Sequence, residues 1–445
     1  MNGIDANIRD DPAATGEGDG DQRGTAISPY AWYVIVVLMM MNILAHVDRV
    51  IPYVIAPLMA ADLHLSDTQI GAIGTLSFTL VYSLAAIPLA WLADRVSRPA
   101  ILGLSAMIWS SFTACGGLAQ NFMQLVGSRV GLAIGEAVAQ PAGASLIADH
   151  VPKARRRFAL SMLYSAAPLG GILGSAGGGM AAQHFGWRPT LMVLAIPGVV
   201  VGLVILLTVR EARGRAVGED AEAPPPLGRL VAQLASDKVF RQLLISGILF
   251  FTASSAINSF TPTFLVRTYG ASIGAIGVKV GLVQGVFGTA GMLLGALLVD
   301  KLAVRDPRWA VGVPAVGLLL AVPLYELAWR APSAALAIMC LAPVSFLITT
   351  YMTPVLAVAL ELVQVRARTV TLSILNLGMN GVGGSCGGVI AGAISDALRP
   401  THGKAALGMS LSIMALIQLW TVLHLCLAAR AISQRPSEKT TQGGA

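Results

Sequence analysis

The sequence predicts an all-α integral membrane protein with twelve transmembrane helices in two six-helix halves. Its 445 residues are 55% hydrophobic and only 12% charged, which leaves too little polar surface for a water-soluble fold. The mean hydropathy of +0.72 indicates the same class. The apolar residues fall in runs of about 20, long enough to cross about 30 Å of hydrocarbon, and the runs lack the alternation of barrel strands.

Twelve apolar runs define the predicted spans, six before a polar segment and six after it. The first six lie near residues 33–56, 68–92, 100–119, 122–147, 158–182 and 190–207, and the second six near 243–266, 274–299, 311–328, 334–358, 369–395 and 405–427. Each run is predicted to be an α-helix, because a helix satisfies its backbone hydrogen bonds internally and can therefore cross hydrocarbon.

The polar segments divide the chain into halves and tails. The start of the chain is acidic and rich in glycine, with no apolar run and no cleavage signature, which predicts a disordered tail. A charged, proline-containing stretch after the sixth span predicts a solvated linker. The predicted organisation is a cytoplasmic tail at 1–29, an N-terminal six-helix half at 30–209, a cytoplasmic linker at 210–241, a C-terminal six-helix half at 242–429 and a cytoplasmic tail at 430–445.

Lysine and arginine are distributed unevenly over the predicted loops, and this predicts the orientation of the chain. With the N-terminus in the cytoplasm, about 22 fall on the cytoplasmic side, about 6 on the outer side or at helix ends, and about 2 within spans. The positive-inside rule therefore predicts that both termini lie in the cytoplasm. We expect the chain to be a multi-pass protein of the cell (inner) membrane. This distribution also accounts for the net charge of +7, so a nucleic-acid partner is not expected.

A weak internal repeat indicates that the two halves are related. Asp94 and Arg95 follow the second span, and Asp300 and Lys301 follow the eighth in the same arrangement. Two parallel six-helix halves are the simplest explanation. In such an architecture a solute site is expected between the halves, near the middle of the membrane.

Two groups of residues carry a resemblance to a known family. Asp94 is followed by Arg95 and Arg98 after the second span, and Arg129 is followed by glycines in the fourth span. Over nearly its whole length the chain resembles a major facilitator superfamily transporter, although it carries Ser97 where the family usually has Gly. The resemblance implies the major facilitator fold and no enzymatic activity.

Residues in the first and fourth spans resemble, more narrowly, the spinster-like branch of this superfamily. They are Asn42, Asp48 and Arg49 in the first span, and Arg129 and Glu136, followed by Pro141, in the fourth. The branch resemblance implies bacterial-type relatives that transport lysolipids or sphingosine-1-phosphate.

The resemblance also implies that the charged loops form a cytoplasmic gate. Asp94 is expected to accept hydrogen bonds from a facing helix N-terminus, while Arg95 and Arg98 reach acids such as Asp149. The loop after the eighth span contributes the corresponding charges, Asp300, Lys301 and Arg305. A solvated patch of charge that only sets the topology is the alternative.

Four ionisable residues inside predicted spans are the strongest candidates for function, because a charge in mid-membrane costs about 3 kcal/mol and normally faces a cavity or a partner. Asp48 lies about 24 Å from the cytoplasmic end of the first span. Arg129 and Glu136 lie about 12 and 22 Å from the outer end of the fourth span and share one face of the helix. We expect these three residues and Arg49 to form a polar cluster in the N-terminal half.

Such a cluster can serve both proton coupling and substrate binding. Asp48 and Glu136 are candidate proton carriers, because a carboxylate in a cavity can take or release a proton when its surroundings change. Arg49 and Arg129 are candidate partners for a substrate headgroup or a carboxylate, which a guanidinium holds by paired hydrogen bonds. The alternative is a fixed pair of salt bridges that only holds helices together.

Polar or amphipathic residues near the middle of the spans are further candidates for the lining of a cavity. They are His46, Tyr82, Tyr164, Asn258, Tyr351 and Asn376. His46 could also titrate, although a histidine with a satisfied hydrogen bond is the more common case. For each of the others, an ordinary hydrogen bond between helices is an equal alternative.

The sequence offers no catalytic residues, no metal ligands and no cofactor motif. Its four cysteines are scattered through apolar spans without metal or disulfide spacing. The glycine-rich stretch around Ser385 matches a nucleophile-elbow pattern but lies in an apolar helix rather than on a strand-to-helix turn. A phosphate-binding loop is also missing, so transport driven by ATP within this chain is not expected.

The function implied by the resemblance is proton-coupled transport, by alternating access, of an amphiphile with an anionic headgroup, such as a lysophospholipid or a sphingosine-1-phosphate-like lipid. Symport of small organic anions is the second candidate function. A membrane receptor or enzyme without net transport is the third. A long apolar recess would favour the amphiphile, and a closed polar pocket the small anion. The expected partners are the substrate, protons and the bilayer, with the chain acting as a monomer.

Overall fold

The computed structural model describes residues 26–93, 95–211, 227–364 and 367–434. Most of both predicted tails, the middle of the predicted linker and Asp94 therefore lie outside the described residues. Within the described ranges the chain is helical and contains no β-strand, which confirms the predicted all-α class.

Helices α1 to α9 build the part of the chain before the linker. They are α1 (Pro29–Leu63), α2 (Asp67–Gly71), α3 (Val81–Ala93), α4 (Arg98–Gly117), α5 (Phe122–Glu136), α6 (Ala139–His150), α7 (Arg156–Tyr164), α8 (Ala166–Phe185) and α9 (Trp187–Thr208). Helices α10 to α19 build the part after it. They are α10 (Leu227–Ser236), α11 (Lys238–Tyr269), α12 (Ile273–Leu282), α13 (Gly288–Ala303), α14 (Trp309–Trp329), α15 (Ala334–Thr349), α16 (Met352–Glu361), α17 (Arg368–Asn376), α18 (Ser385–His402) and α19 (Ala406–Ser433).

Capping residues and glycines determine where several of these helices begin and end. The Ser28 hydroxyl accepts a hydrogen bond from the Ala31 amide at 3.1 Å, and Ser66 forms a capping box with Gln69 at the start of α2. Gly270 ends α11 with a φ of 63°, a left-handed conformation that a side chain would strain.

Eleven helical stretches in the described chain are long and apolar enough to cross a membrane, where the sequence predicted twelve spans. The difference lies in Val370–Ser433, a stretch of 64 residues that holds the last two predicted spans. Inside it, Gly403 has a φ of 52° and begins a short 3₁₀ turn between α18 and α19. Large apolar side chains such as Leu173, Val193 and Leu297 are exposed, as expected for a surface that faces lipid.

The helix ends define two faces of the molecule. The face that carries Pro29, Arg98 and Ser433 is called the terminal face, and the face that carries Asp67, Tyr269 and His402 is called the distal face. Three spans contain a π-helical segment between these faces, at Ala72–Leu80, Val283–Phe287 and Leu377–Gly384. Such wide turns interrupt regular helix packing and are frequent at functional sites.

The two halves pack closely on the distal side of these π-helical segments. Helix α8 packs along α12, and α2 packs along α18. A Cβ atom on Gly277 of α12 would overlap the carbonyl oxygen of Ser175 on α8, and a Cβ on Gly71 would overlap that of Gly388. Glycine is required at these positions because the backbones touch.

The buried apolar residues show that the halves share a core on the distal side and have separate cores on the terminal side. One cluster crosses between the halves and includes Trp187 from the first and Phe264 from the second. A second cluster around Leu38 stays within the first half, and a third around Val355 stays within the second. The halves are therefore joined at the distal face and diverge toward the terminal face.

Candidate functional site

Arg49 and Glu136 form an ion pair between α1 and α5. The Arg49 Nε donates to Glu136 Oε1 at 2.5 Å, and Arg49 Nη2 contacts the same oxygen. The Glu136 side chain is fully buried, and its Oε2 has no hydrogen-bond partner among the described residues. Glu136 reaches this position because α5 ends there, just before the short break that precedes α6.

Arg129 lies beside this pair but does not form a salt bridge with a described carboxylate. Its Nη1 donates to the backbone carbonyl of Asp48 at 3.1 Å. Its Nε and Nη2 are buried without a hydrogen-bond partner in the described chain. Asp48 itself is 6% exposed. The structure thus brings the four predicted charged residues together. The Arg49 guanidinium is paired with Glu136, and the Arg129 guanidinium keeps two N–H groups without a described partner.

Two aromatic rings cover the arginines of this cluster. The Arg49 guanidinium lies 4.7 Å from the centre of the Tyr82 ring and 5.4 Å from that of Phe78. The Arg129 guanidinium lies 5.3 Å from the Phe78 ring centre. These distances permit cation–π attraction, which is strongest where water is excluded. Sequence reasoning missed Phe78, which gave no signal beyond an apolar residue in an apolar span.

A cavity of about 380 Å³ adjoins Arg49 and has walls from both halves. We call it the polar cavity. It is lined by Arg49, Tyr53, Phe78, Thr79, Tyr82, Ser83, Ala86, Ala137, Gln140, Pro141, Asn376 and Asn380. The Asn380 Nδ2 donates to Asn376 Oδ1 at 2.7 Å, which leaves other amide atoms of the two side chains to face a ligand.

A second cavity, of about 500 Å³, is lined mainly by apolar residues of α11, α12, α14 and α15. We call it the apolar cavity. Ala167 of α8 also lines it, so it too has walls from both halves. Its polar side chains are those of Asn258, Thr261, Gln284, Ser345 and Thr349, together with the hydroxyl-bearing Tyr325. The Gln284 Nε2 donates to Asn258 Oδ1 at 3.1 Å.

The remaining predicted lining residues lie outside these two cavities. The His46 ring is 2.9 Å from the Asn42 carbonyl, one turn earlier in α1. Tyr164 is 54% exposed at the end of α7. Tyr351 is fully buried, with its hydroxyl 2.8 Å from that of Ser246. Of the six predicted lining residues, Tyr82, Asn258 and Asn376 line a described cavity.

Arg98 contacts two acids at the terminal face. Its Nη1 lies 2.5 Å from Asp149 Oδ2, and its Nε donates to Glu211 Oε1 at 2.7 Å. Arg98 and Asp149 belong to the first half and Glu211 to the start of the predicted linker, so neither contact reaches the second half. Arg95 lies 3.6 Å from the Trp91 ring centre. The corresponding charges of the second half, Asp300, Lys301 and Arg305, are exposed at the end of α13.

Among the residues that the structure describes, the ion pairs that join the two halves lie at the opposite, distal face. Asp67 is fully buried there, and its Oδ1 is 2.6 Å from Arg267 Nη1 of α11. Its Oδ2 is 2.6 Å from Arg399 Nη2 of α18 and accepts a hydrogen bond from the Ser395 hydroxyl at 2.7 Å. One carboxylate of the first half therefore holds two arginines of the second.

Asp396 provides a reciprocal contact from the second half to the first. Its carboxylate accepts hydrogen bonds from the amides of Asp67 and Thr68 at 3.0 and 2.8 Å and from the Thr68 hydroxyl at 2.7 Å. These amides belong to the first turn of α2, so Asp396 caps a helix of the other half. Sequence reasoning counted Arg267 and Arg399 only as loop charges and missed this set, which we call the distal ion cluster: Asp67, Thr68, Arg267, Ser395, Asp396 and Arg399.

Comparisons with known proteins agree with this architecture. A family model described as Major Facilitator Superfamily matches residues 38–388. An MFS-type efflux pump of Mycolicibacterium smegmatis is 34% identical over 86% of this chain and 89% of its own. A probable L-galactonate transporter of Escherichia coli is 26% identical over 63% of this chain and 64% of its own.

Among solved structures, a bacterial homolog of the human lysosomal transporter spinster is similar over 93% of this chain and 100% of its own, with 26% identity and a TM-score of 0.83. That homolog is in an inward-facing and unoccupied conformation. No cluster of three or more histidine, cysteine, aspartate or glutamate side chains suited to a metal ion occurs in the described part of the chain.

Proposed function

Since the chain belongs to the Major Facilitator Superfamily, we propose that it is a proton-coupled transporter that moves an amphiphile with an anionic headgroup by alternating access. The terminal face is the cytoplasmic face, because it carries most of the lysines and arginines. Both termini then lie in the cytoplasm, the chain acts as a monomer in the inner membrane, and the linker at 210–241 joins halves at 30–209 and 242–429.

The observation that carries this proposal is the presence of two unlike cavities, a polar one with walls from both halves and a mainly apolar one that lies largely in the second half. The polar cavity offers Arg49 and two asparagines, which suit the oxygens of a phosphate or carboxylate headgroup. The apolar cavity offers about 500 Å³ of mainly apolar wall, which suits a hydrocarbon chain. An amphiphile is the substrate class that uses both.

The arrangement of the cores supports alternating access. A shared core and an ion cluster close the distal face, while separate cores leave the terminal face open. With the terminal face in the cytoplasm, this is an inward-facing state. In the outward-facing state, the terminal face would be closed and the distal face open. The spans would bend at their π-helical segments during the change between the two states.

Competition for Arg49 provides a route to proton coupling. In the described state Arg49 is held by Glu136. An anionic headgroup that takes Arg49 leaves a buried carboxylate without its cation, and such a carboxylate is best stabilised by taking up a proton. The buried Arg129 guanidinium does not line the polar cavity, but its positive charge beside the ion pair favours an anion near Arg49. Substrate and proton would therefore occupy the site together, and Asp48, whose backbone carbonyl accepts a hydrogen bond from Arg129, is the second candidate proton carrier.

Symport of small organic anions is the second candidate function. The polar cavity, at about 380 Å³, is large enough for a sugar acid, and its asparagines suit hydroxyl groups. The likeness to a probable L-galactonate transporter supports this reading.

Counterflow in proteoliposomes separates the two candidates. Vesicles loaded with a lysophospholipid or with galactonate would be assayed for exchange of the same labelled compound. We expect lysophospholipid exchange, and we expect Ala167→Leu, which narrows the apolar cavity, to reduce it severalfold. Exchange of galactonate alone, undiminished by this substitution, would contradict the amphiphile proposal. Exchange of neither class would favour a receptor or enzyme without net transport.

A further inference from the structure

The distal face carries a pocket that belongs to neither central cavity. It encloses about 660 Å³ between the distal ends of α1, α11, α18 and α19. Its lining includes three cations, Arg267, Arg399 and Lys404, together with the Ser395 hydroxyl. We call it the distal pocket. The remaining lining residues are small or apolar, so the cations dominate its chemistry.

The acids near the distal pocket are already engaged. Asp67 is shared between Arg267 and Arg399, and Asp396 is held by the first turn of α2. Lys404 is exposed and forms no ion pair with any residue that the structure describes. The pocket therefore has three cations against two nearby carboxylates, which leaves an excess of positive charge.

The two arginines also keep most of their hydrogen-bonding capacity. A guanidinium has five N–H donors, and each of these two uses one nitrogen on Asp67. The Arg267 side chain is 31% exposed and that of Arg399 is 47% exposed, so a ligand in the pocket can reach them. Two forked guanidinium groups and an ammonium in the lining of one pocket match the oxygens of a phosphate or carboxylate.

We propose that the distal pocket binds an oxyanion, a phosphate or carboxylate group, which competes with Asp67 for Arg267 and Arg399. The site goes beyond the proposed function because it lies at the distal entrance rather than at the central cavities. Binding there weakens the ion cluster that closes this face. The anion reaches the pocket either free in the outer medium or as the headgroup of a lipid in the outer leaflet.

Equilibrium binding of inorganic phosphate to the purified full-length protein, measured by titration calorimetry, tests the site. We expect Lys404→Gln and Arg399→Gln each to weaken phosphate binding about fivefold or more, since each removes a charged contact. The matched control is Arg330→Gln, which removes a distal-face cation outside the pocket and should leave the affinity unchanged. Lys404 is exposed, so its replacement does not endanger folding. Equal affinity in the wild type and both pocket variants, or no phosphate binding at all, would overturn the proposal.

Distance measurement tests the competition with Asp67. Spin labels at Met123→Cys and Pro332→Cys, two exposed positions on the distal face of opposite halves, would be placed in a background without the four native cysteines. Saturating phosphate should lengthen this distance in the wild type and add nothing in Asp67→Asn. If phosphate does not change the distance between the two labels in the wild type, the proposed competition between phosphate and Asp67 is wrong.

Nanodiscs distinguish the two sources of the anion. If a lipid headgroup occupies the pocket, replacing phosphatidylcholine by phosphatidylglycerol should lower the apparent phosphate affinity of the wild type but not of Lys404→Gln. If the anion is free, the lipid should make no difference. The phosphate titration involves no transport, so it can succeed or fail independently of the proposed substrate.

Discussion

Asp67, at the start of α2, and Arg399, near the end of α18, form an ion pair with 2.6 Å between Oδ2 and Nη2. The two residues lie in different halves, and the Asp67 side chain is fully buried. Because Arg267 binds the other carboxylate oxygen, one acid holds the distal face closed at two points. The state of this acid should therefore control which face of the molecule is open.

Replacing Asp67 by Asn should favour separation of the distal ends, because a neutral amide no longer balances Arg267 and Arg399. A loss of about 1.4 kcal/mol from the closed state would change the ratio of open to closed protein about tenfold. Spin labels at Met123→Cys and Pro332→Cys would record this change as a longer distance.

Asp62→Asn is the matched control for this experiment. Asp62 pairs with Arg188 at 2.9 Å on the same face, but both residues belong to the first half. Its replacement should leave the distance distribution unchanged. Equal distributions in Asp67→Asn and the wild type would show that the distal ion cluster does not hold the face closed.

The close backbone contact between α8 and α12 leads to a second prediction. Gly277→Ala would place a methyl group against the Ser175 carbonyl oxygen, and overpacking of this kind costs about 1–3 kcal/mol. The distal face should open, or the melting temperature should fall. Gly177→Ala is the control, because it adds the same methyl to α8 with nothing within 4 Å. Equal melting temperatures of the two variants, together with the wild-type spin-label distance across the distal face in both, would contradict a close backbone contact at Gly277.

Glu136→Gln tests proton coupling against a purely structural role for the cluster. The amide keeps most of the shape of Glu136 but removes its titration, so transport driven by a pH gradient should collapse while equilibrium exchange of substrate survives. Asp48→Asn should likewise reduce transport driven by a pH gradient if Asp48 takes part in transferring the proton. Both fluxes would be measured beside thermal stability on the purified protein.

The structural role predicts a different outcome for the same variant. Arg49, whose side chain is 26% exposed, would lose its partner. Breaking a fully buried pair costs about 3–5 kcal/mol, which is the upper limit here, and stability would fall together with every activity. Stable protein with unimpaired gradient-driven transport would exclude Glu136 as a proton carrier.

Thiol labelling of intact cells tests the proposed orientation. Lys153→Cys on the terminal face should be protected from a membrane-impermeant reagent, and Met123→Cys on the distal face should react. Both positions are exposed, so a permeant reagent should label both and serves as the control. Labelling of the two positions from the same side would contradict the assigned topology.

The fold class and the family could be predicted from the sequence. Long apolar runs indicate the membrane-spanning helices, and local motifs indicate the superfamily. The predicted resemblance to spinster-like members of the superfamily is confirmed by the comparisons. The sequence also placed Asp48, Arg49, Arg129 and Glu136 near one another, since helix depth and helix face follow from spacing alone. Which arginine pairs with Glu136 depends on side-chain directions across two helices, and spacing does not determine these.

The distal ion cluster lay beyond sequence reasoning for a different reason. Asp67 and Arg399 are 332 positions apart, and either residue alone resembles an ordinary charge at a helix end. Their contact depends on how the two halves dock, which no local pattern encodes. The π-helical segments were missed for another reason, because their sequences do not differ in pattern from the α-helical turns around them.

The division of the buried apolar residues into one shared and two separate clusters has a thermodynamic consequence. Opening the distal face would divide the shared cluster, and closing the terminal face would join the other two. If the apolar areas exposed and covered are similar, the heat capacity of the conformational change is close to zero, because that quantity follows the net change in hydrated apolar surface. The enthalpy difference between the two states would then vary little with temperature, and a plot of the logarithm of their ratio against inverse temperature would be a straight line.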